Sequence, residues 1–146
     1  DPRPPALSSF GLSRSIESHA NEFMLRHPEL KIKLELMQDG GILSEELTLA
    51  LFRIYQQALM NILKHANATE ATVSLELDGE GLSLQIKDNG QGFDVPERWV
   101  SLVRAGHYGL AGTSERVSAL GGEFSVESEP GEGTCITVRF NDYMEL

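Results

Sequence analysis

Residues 71–90 read ATVSLELDGEGLSLQIKDNG, and this stretch decides the fold class. Apolar and polar residues alternate on both sides of a short glycine-containing turn at 78–81, a pattern typical of two antiparallel strands joined as a hairpin. The same alternation returns outward from this hairpin, at 32–36 and at 134–140. The chain is therefore predicted to build a sheet from strands with one buried and one solvent-exposed face.

Helical periodicity predicts a second layer. Residues 7–26, 44–66 and 110–120 carry apolar residues at helical spacing. Ser44 is a hydroxyl N-cap for the second of these helices, and Gly121 suits the left-handed position that closes the third. The predicted fold is therefore α+β: a two-layer α/β sandwich in which about three helices cover one face of a mixed, mostly antiparallel sheet of about five strands.

Composition excludes several classes of protein. The 146 residues suit one domain, and the net charge of −10 disfavours a nucleic-acid or anionic-membrane surface. Cys135 has no internal disulfide partner and no apolar run approaches a membrane span of about 18 residues, so we expect a cytoplasmic, reducing location. The proline-rich start predicts a linker over 1–8, entering from an upstream domain, before a folded domain over 9–146.

The helix that starts at Ser44 is the first place where polar residues interrupt the apolar pattern. One stripe of residues along this helix begins with apolar side chains and ends with polar ones. The polar residues at its end can bind a metal ion and anionic oxygens, or they simply reach solvent. The opposite side holds Phe52, Tyr55, Leu59 and Ile62. The stripe comprises Ala50, Ile54, Gln57, Ala58, Asn61, Lys64 and His65.

Asp88 is the second such place, because it falls in phase with the buried face of its strand. A carboxylate there is costly unless it meets donors, so it indicates either a ligand contact or an aspartate that opens a tight turn. Gly90 and Gly92 follow it, and their bare backbone lets a planar ligand approach. Thr134 is also in phase with a buried face, and its hydroxyl can bond near Asp88 or to the backbone.

Glycines at the start of the last helix are the third feature. Gly106, Gly109 and Gly112 place backbone N–H groups where a helix dipole favours phosphate. A hinge or close helix packing would account for them equally well.

Four segments together resemble the ATP-binding catalytic domain of bacterial two-component sensor histidine kinases, of the nitrate-sensor and membrane-fluidity-sensor type. This domain lies within the gyrase, chaperone, kinase and mismatch-repair ATPase superfamily. Residues 53–66 are similar to its asparagine box, and residues 88–93, 106–112 and 131–134 are similar to its three glycine boxes. The resemblance implies the ATP-binding (Bergerat-type) fold of that superfamily, with ATP and Mg²⁺ as ligands.

The resemblance also implies roles for individual residues. Asp88 would accept the exocyclic amine of adenine, Asn61 would hold Mg²⁺, and residues 106–112 would form a lid over the phosphates. Lys64 and His65 would neighbour the phosphates or the sugar. The implied nucleotide-binding residues are Asn61, Lys64, His65, Asp88, Gly90, Gly92, Phe93, Gly106, His107, Gly109, Leu110, Gly112 and Thr134.

Two departures from the family pattern concern catalysis. Gln57 stands where the superfamily usually has an acid that activates water. Residues 113–116 read Thr-Ser-Glu-Arg where the subfamily usually has Met-Arg-Glu-Arg, so a cation that could touch the phosphates is missing, although Arg116 remains. No catalytic residue is therefore assigned. The family's phosphoacceptor histidine precedes an acid, whereas none of the four histidines of this chain does, so that histidine is expected upstream.

The implied function is transfer of the γ-phosphoryl group of Mg-ATP to a histidine of a separate dimerisation domain, in the same or a neighbouring subunit. A response regulator would be the downstream partner. We expect this chain to be a monomer within a longer, homodimeric kinase. The alternatives are an ATP-binding signalling module without catalysis, and an ATPase or protein-serine kinase of the superfamily.

Overall fold

The computed structural model describes residues 7–93 and 108–143. In this part of the chain, three helices and one π-helical turn lie beside a five-stranded sheet, which confirms the predicted α+β sandwich. The elements are α1 (Leu7–Arg26), β1 (Lys31–Leu36), α2 (Glu45–Asn61), the π-helical turn (Ile62–Ala66), β2 (Glu70–Asp78), β3 (Gly81–Asp88), α3 (Tyr108–Ala119), β4 (Glu123–Ser128) and β5 (Thr134–Phe140).

The sheet has the strand order β1-β2-β3-β5-β4. Strands β1 and β2 are parallel because the chain crosses over through α2 between them, and every other pair is antiparallel. The hairpin predicted from 71–90 is β2–β3. Its register places Asp88 between Ala71 of β2 and Thr134 of β5, in the middle of the sheet.

One face of this sheet packs against the helices and forms the core. Leu75 and Leu84 pair across β2 and β3 and are fully buried, as are Leu51 and Leu59 of α2. The opposite face carries polar side chains. Burial of the apolar face supplies most of the stability of such a layer, at about 25 cal/mol per Å² removed from water.

The local signals at the helix ends are confirmed. The Ser44 hydroxyl accepts from the Leu47 amide at 3.1 Å, α1 ends before Pro28, and Gly121 takes a left-handed φ of 85° after α3. All helices in the described ranges are too short or too polar to cross a membrane. Residues 1–6 lie outside the described residues and α1 begins at Leu7, so the division into 1–8 and 9–146 stays a prediction.

Two helices differ from the periodic pattern. Helix α1 is broken at Gly11, whose φ of 80° and ψ of −179° are not helical. The reason is Asp39, whose carboxylate accepts from the amides of Leu12 at 3.1 Å and Ser13 at 2.9 Å and so starts a new helical segment. The predicted helix 44–66 is α-helical only to Asn61, after which the backbone widens into the π-helical turn.

Candidate nucleotide-binding site

A cavity of about 320 Å³ opens beside the end of α2, between the helices and the sheet. Its volume and its largely apolar wall with a few polar groups are typical of a small-molecule site. The lining residues are Ala58, Asn61, Ile62, His65, Ala66, Ile86, Asp88, Gln91, Gly92, Phe93, Leu110, Thr134 and Ile136.

Asp88 is the buried charge of this cavity, with only 6% of its surface exposed. It ends β3, in phase with Ile86, as the strand pattern predicts. Its Oδ1 accepts from the Gly90 amide at 2.8 Å. Burial raises the pKa of the carboxyl, although backbone hydrogen bonds from Gly90 and Thr134 partly oppose the shift. The carboxylate can accept a further hydrogen bond from an N–H group of a ligand in an apolar setting, where that bond is strong.

Glycines allow the loop after Asp88 to approach two other backbones closely. A Cβ on Gly90 would collide with the Ala66 carbonyl, and a Cβ on Gly92, which has a φ of 64°, would collide with the Glu129 carbonyl. These glycines therefore allow the loop after β3 to pack closely against two other segments of the chain. Of the two, Gly92 lines the cavity, whereas Gly90 contributes the amide that holds Asp88.

Ser128 lies behind the cavity wall, where it holds two lining residues, and sequence reasoning missed it. Its hydroxyl donates to the Gly133 carbonyl at 2.9 Å and accepts from the Phe93 amide at 2.9 Å. It also lies 2.8 Å from the Thr134 hydroxyl, which must be the donor because the Ser128 proton is already used. Thr134 thus keeps acceptor capacity for a ligand. Ser128 is in phase with the buried face of β4, the same signal that identified Asp88.

The polar end of α2 reaches the cavity only in part. Asn61 and His65 line it, whereas Lys64 is exposed and lies outside the wall. Ile62, predicted on the opposite side of the helix, lines the cavity because it stands one helical turn after Ala58, which also lines it.

Gln91 is a second missed residue, and it joins the loop after β3 to the π-helical turn. Its side-chain amide donates to the His65 carbonyl at 2.5 Å, and its backbone amide donates to the Ala66 carbonyl at 2.7 Å. The position lies inside the quoted glycine box, but no periodicity marks it.

The glycines predicted to cradle phosphate are only partly described. Gly106 and His107 lie outside the described residues. Gly109 and Gly112 belong to the first turns of α3, and Leu110 between them is buried in the cavity wall. A Cβ on Gly112 would meet nothing within 4 Å, so helix packing does not require glycine there.

The donor set suits magnesium bound together with a polyanion. Within 7–93 and 108–143, no group of three His, Cys, Asp or Glu side chains could hold a metal ion. Mg²⁺ is commonly bound through few protein ligands plus the oxygens of a phosphate substrate, and the Asn61 amide is available as one such ligand.

Comparison of the sequence with known families identifies the family of this chain. The profile of the histidine kinase-, DNA gyrase B-, and HSP90-like ATPases matches residues 46–143, from α2 to the end of β5. The chain belongs to this ATPase family. It is an ATP-binding domain of the histidine kinase type, as the four motifs predict.

Two curated relatives are sensor kinases. DegS of Brevibacillus brevis, a signal transduction histidine-protein kinase/phosphatase, is 33% identical over 138 residues, which are 94% of this chain and 34% of that protein. The sensor histidine kinase LiaS of Bacillus subtilis (strain 168) is 36% identical over 137 residues, 94% of this chain and 36% of that protein. The chain thus spans about a third of the length of these relatives.

Solved structures confirm the fold of the family. The ATP binding domain of PrrB from Mycobacterium tuberculosis matches with a TM-score of 0.69 at 24% identity, over 90% of this chain and 93% of that one. The blue-light activated histidine kinase of Erythrobacter litoralis EL346 matches with a TM-score of 0.72 at 19% identity, over 92% and 42% of the two chains.

Gln57, at the position where this ATPase family commonly has an acid, is engaged in a hydrogen bond. Nη2 of Arg116 on α3 donates to its Oε1 at 2.7 Å. An amide cannot accept a proton as a general base, so the chain's own group at this position is unsuited to activating water. The two residues are 59 positions apart, and no sequence pattern joins them.

Proposed function

We propose that this domain binds Mg-ATP and donates the γ-phosphoryl group to a histidine on a separate helical domain. The observation that carries the proposal is Asp88, a buried carboxylate that faces an apolar cavity of a size suited to a nucleobase. An adenine amine would satisfy the charge that burial otherwise penalises. Membership of the ATPase family and the sensor kinases among its relatives support the same assignment.

Other residues would divide the remaining contacts. Thr134 and Gly92 would complete the base pocket with Phe93, and Asn61 would provide a ligand for magnesium. Mg²⁺, when bound, would neutralise the charge of the phosphates. Residues 106–112, with Lys64 and His65, would face the phosphates or sugar, so that a protein with a net charge of −10 can still bind a polyanion.

The transfer itself needs positioning more than acid–base chemistry. A neutral imidazole nitrogen of the acceptor attacks the γ-phosphorus, and the bond to the β,γ-bridging oxygen breaks. That oxygen leaves on ADP with the electron pair. The proton on the other imidazole nitrogen then passes to solvent. A site with Gln57 in place of an acid is compatible with this chemistry, since no water is activated.

Calorimetric ATP titration of the Asp88→Asn variant tests the proposal. Loss of a charged acceptor for a buried amine costs about 1–3 kcal/mol, which lowers the affinity by roughly 5- to 150-fold. Asp78→Asn is the matched control, because Asp78 is exposed at the other end of the same hairpin. Unchanged affinity in a folded Asp88→Asn variant would refute the adenine assignment.

A non-catalytic ATP-binding module is the second candidate, and the engaged Gln57 amide is the observation that favours it. The two are separated by supplying the helical dimerisation domain and labelled ATP. Acid-labile phosphate on that domain supports the kinase, whereas ATP binding without phosphohistidine supports the module. For the kinase we further propose a homodimeric parent protein, a cytoplasmic location for this domain and a response regulator downstream.

A further inference from the structure

Arg116 projects from α3 toward α2 at the edge of the cavity. The inner face of α3 is formed by the buried residues Leu110, Thr113 and Val117. Arg116 precedes Val117 on the flank of the helix, is exposed, and reaches across to the Gln57 amide oxygen at 2.7 Å. This hydrogen bond joins two helices that both contribute to the cavity wall.

The position of Gln57 fixes where the guanidinium lies. Gln57 directly precedes Ala58 and stands one helical turn before Asn61, and these two neighbours line the cavity. Side chains one turn apart on a helix have Cβ atoms about 5–6 Å from each other. The guanidinium of Arg116 is therefore held close to the side chain proposed to bind magnesium.

Among the described residues, no carboxylate pairs with Arg116. Its acceptor is a neutral amide, and the ion pairs found within the described ranges, Glu22–Arg26 and Lys33–Glu70, are elsewhere. A guanidinium carries five N–H donors, so most remain available. Arginine normally favours carboxylate or phosphate partners, to which its donors bind in pairs.

We propose that Arg116 is a phosphate-binding residue of the nucleotide site. The Gln57 amide oxygen positions the guanidinium beside Asn61 without neutralising it, and the free donors bind the terminal phosphate oxygens. This proposal rests on the proposed function, because it deepens the same site. It also gives Gln57 a role, as the acceptor that orients the guanidinium.

Comparing ATP with adenosine isolates a phosphate contact. We expect Arg116→Ala to weaken ATP binding by about tenfold or more and to leave adenosine binding, measured by NMR titration, unchanged. Arg116→Lys should be intermediate, since it keeps the charge and loses the forked geometry. The control is Arg139→Ala on the sheet face away from the helices, which should bind both ligands as the wild type does.

Arg116→Gln distinguishes phosphate binding from a structural tie between helices, because the new side chain keeps an amide donor for Gln57 and carries no charge. If Arg116 serves the phosphates, ATP affinity falls by about tenfold while adenosine affinity and thermal stability stay constant. If the bond only ties α2 to α3, ATP affinity is unchanged. That second result, or an Arg116→Ala variant with wild-type ATP affinity, would overturn the proposal.

The same titrations keep this proposal separate from the proposed function. A wild-type chain that binds neither ATP nor adenosine contradicts the proposed function itself. If the wild-type chain binds both ligands and the Arg116→Ala variant binds both as tightly as the wild type does, only the role of Arg116 is contradicted.

Discussion

At the scale of single residues, the cavity is built from polar groups placed on otherwise apolar strand faces. Asp88, Thr134 and Ser128 end or begin three neighbouring strands and meet at one edge of the sheet. Each has a backbone or hydroxyl partner, which offsets part of the cost of burial. The remaining acceptor capacity of Asp88 and Thr134 is directed to one volume, which is what recognition of a hydrogen-bond donor requires.

The raised pKa of Asp88 predicts a pH dependence of binding. As the pH falls toward this pKa, above the ordinary aspartate value of about 3.9, the carboxylate gains a proton and loses acceptor capacity for the adenine amine. Adenosine affinity should therefore decline at a higher pH than an ordinary aspartate would allow. The decline is not unfolding, since a raised pKa means that the folded state binds this proton more tightly than the unfolded state does.

Adenosine titrations across the acidic range check this prediction. The Asp88→Asn variant is the control, because its weak adenosine binding should not decline with pH in this range. A wild-type profile that is flat down to about pH 4, the range of an unperturbed aspartate, would contradict it.

Substitutions of Asn61 and Gln57 test which of these two side-chain amides binds magnesium. We expect Asn61→Ala to remove most of the gain in ATP affinity that Mg²⁺ provides. Gln57→Ala should change ATP affinity by less than about tenfold and keep the magnesium effect. ATP titrations with and without Mg²⁺ measure both. If Asn61→Ala keeps the effect and Gln57→Ala loses it, the metal ligand is the amide of Gln57 instead.

At the scale of elements, α1 depends on residues outside the helix. Asp39, which is only 3% exposed, caps the segment that begins at Leu12. The Ser13 hydroxyl adds a bond to the Met37 carbonyl. Gly11 is required at the break, because a Cβ there would lie 2.7 Å from Asp39 Oδ2. The start of α1 is thereby attached to the loop after β1.

Removing this cap should destabilise the domain. We expect Asp39→Ala to lower the free energy of unfolding by about 1–2 kcal/mol, since two buried amides lose their acceptor. Urea denaturation measures the change, with the exposed Asp142→Ala as control. Asp39→Asn should lose less, because its amide oxygen still accepts from one of the two amides. An unaltered denaturation midpoint for Asp39→Ala would show that the cap contributes nothing.

The contact between α1 and α2 contains a titratable group. His19 Nδ1 lies 2.8 Å from the Tyr55 hydroxyl, among the rings of Phe23, Phe52 and Tyr55. Burial lowers the pKa of His19; Glu22 opposes this shift and Arg26 adds to it. The neutral form is therefore favoured in the folded state. Its contribution to stability is complete above the ordinary pKa of about 6.5 and is lost as the pH falls through the lowered value.

Unfolding free energies measured above and below about pH 6.5 test whether His19 causes a loss of stability on acidification. The wild type should lose more stability on acidification than His19→Gln, in which the ring cannot gain a charge. The comparison is between the two pH-dependent differences, because every other titratable group is common to both proteins. Equal losses in the two proteins would exclude His19 as the source.

At the scale of the whole molecule, ATP binding and phosphate acceptance are expected to reside in different domains. The layer of helices covers one sheet face, and the cavity lies at the end of that layer, where α2, β3 and α3 meet. His65 lines this cavity, while His19 is held between α1 and α2. Neither histidine is followed by an acid, unlike the acceptor that the family resemblance implies.

The chain alone should therefore not label itself. With labelled ATP we expect no acid-labile phosphate on these 146 residues, and label on an added helical dimerisation domain. Asp88→Asn should abolish that transfer, which links it to the cavity. Stable label on His65 of the isolated chain would contradict the division of labour.

The local architecture was determined by the sequence itself. Alternation defined β2, β3 and β5, Ser44 and Gly121 marked helix ends, and the in-phase carboxylate of Asp88 marked the strand end that lines the cavity. These signals are readable because each depends on neighbours within a few positions, where periodicity and backbone preferences act. The motif resemblance added the ligand, ATP, which periodicity alone does not specify.

Other features were decided only by the tertiary structure. The break at Gly11 follows from Asp39, a partner 27 positions from Leu12, and the Gln57–Arg116 bond joins residues 59 positions apart. Packing of α2 against the sheet placed Ile62 in the cavity wall and left Lys64 outside it. Such contacts leave no periodic trace, because the partners lie far apart in the sequence and meet only in the folded chain. Their energy therefore depends on the packing of the whole chain.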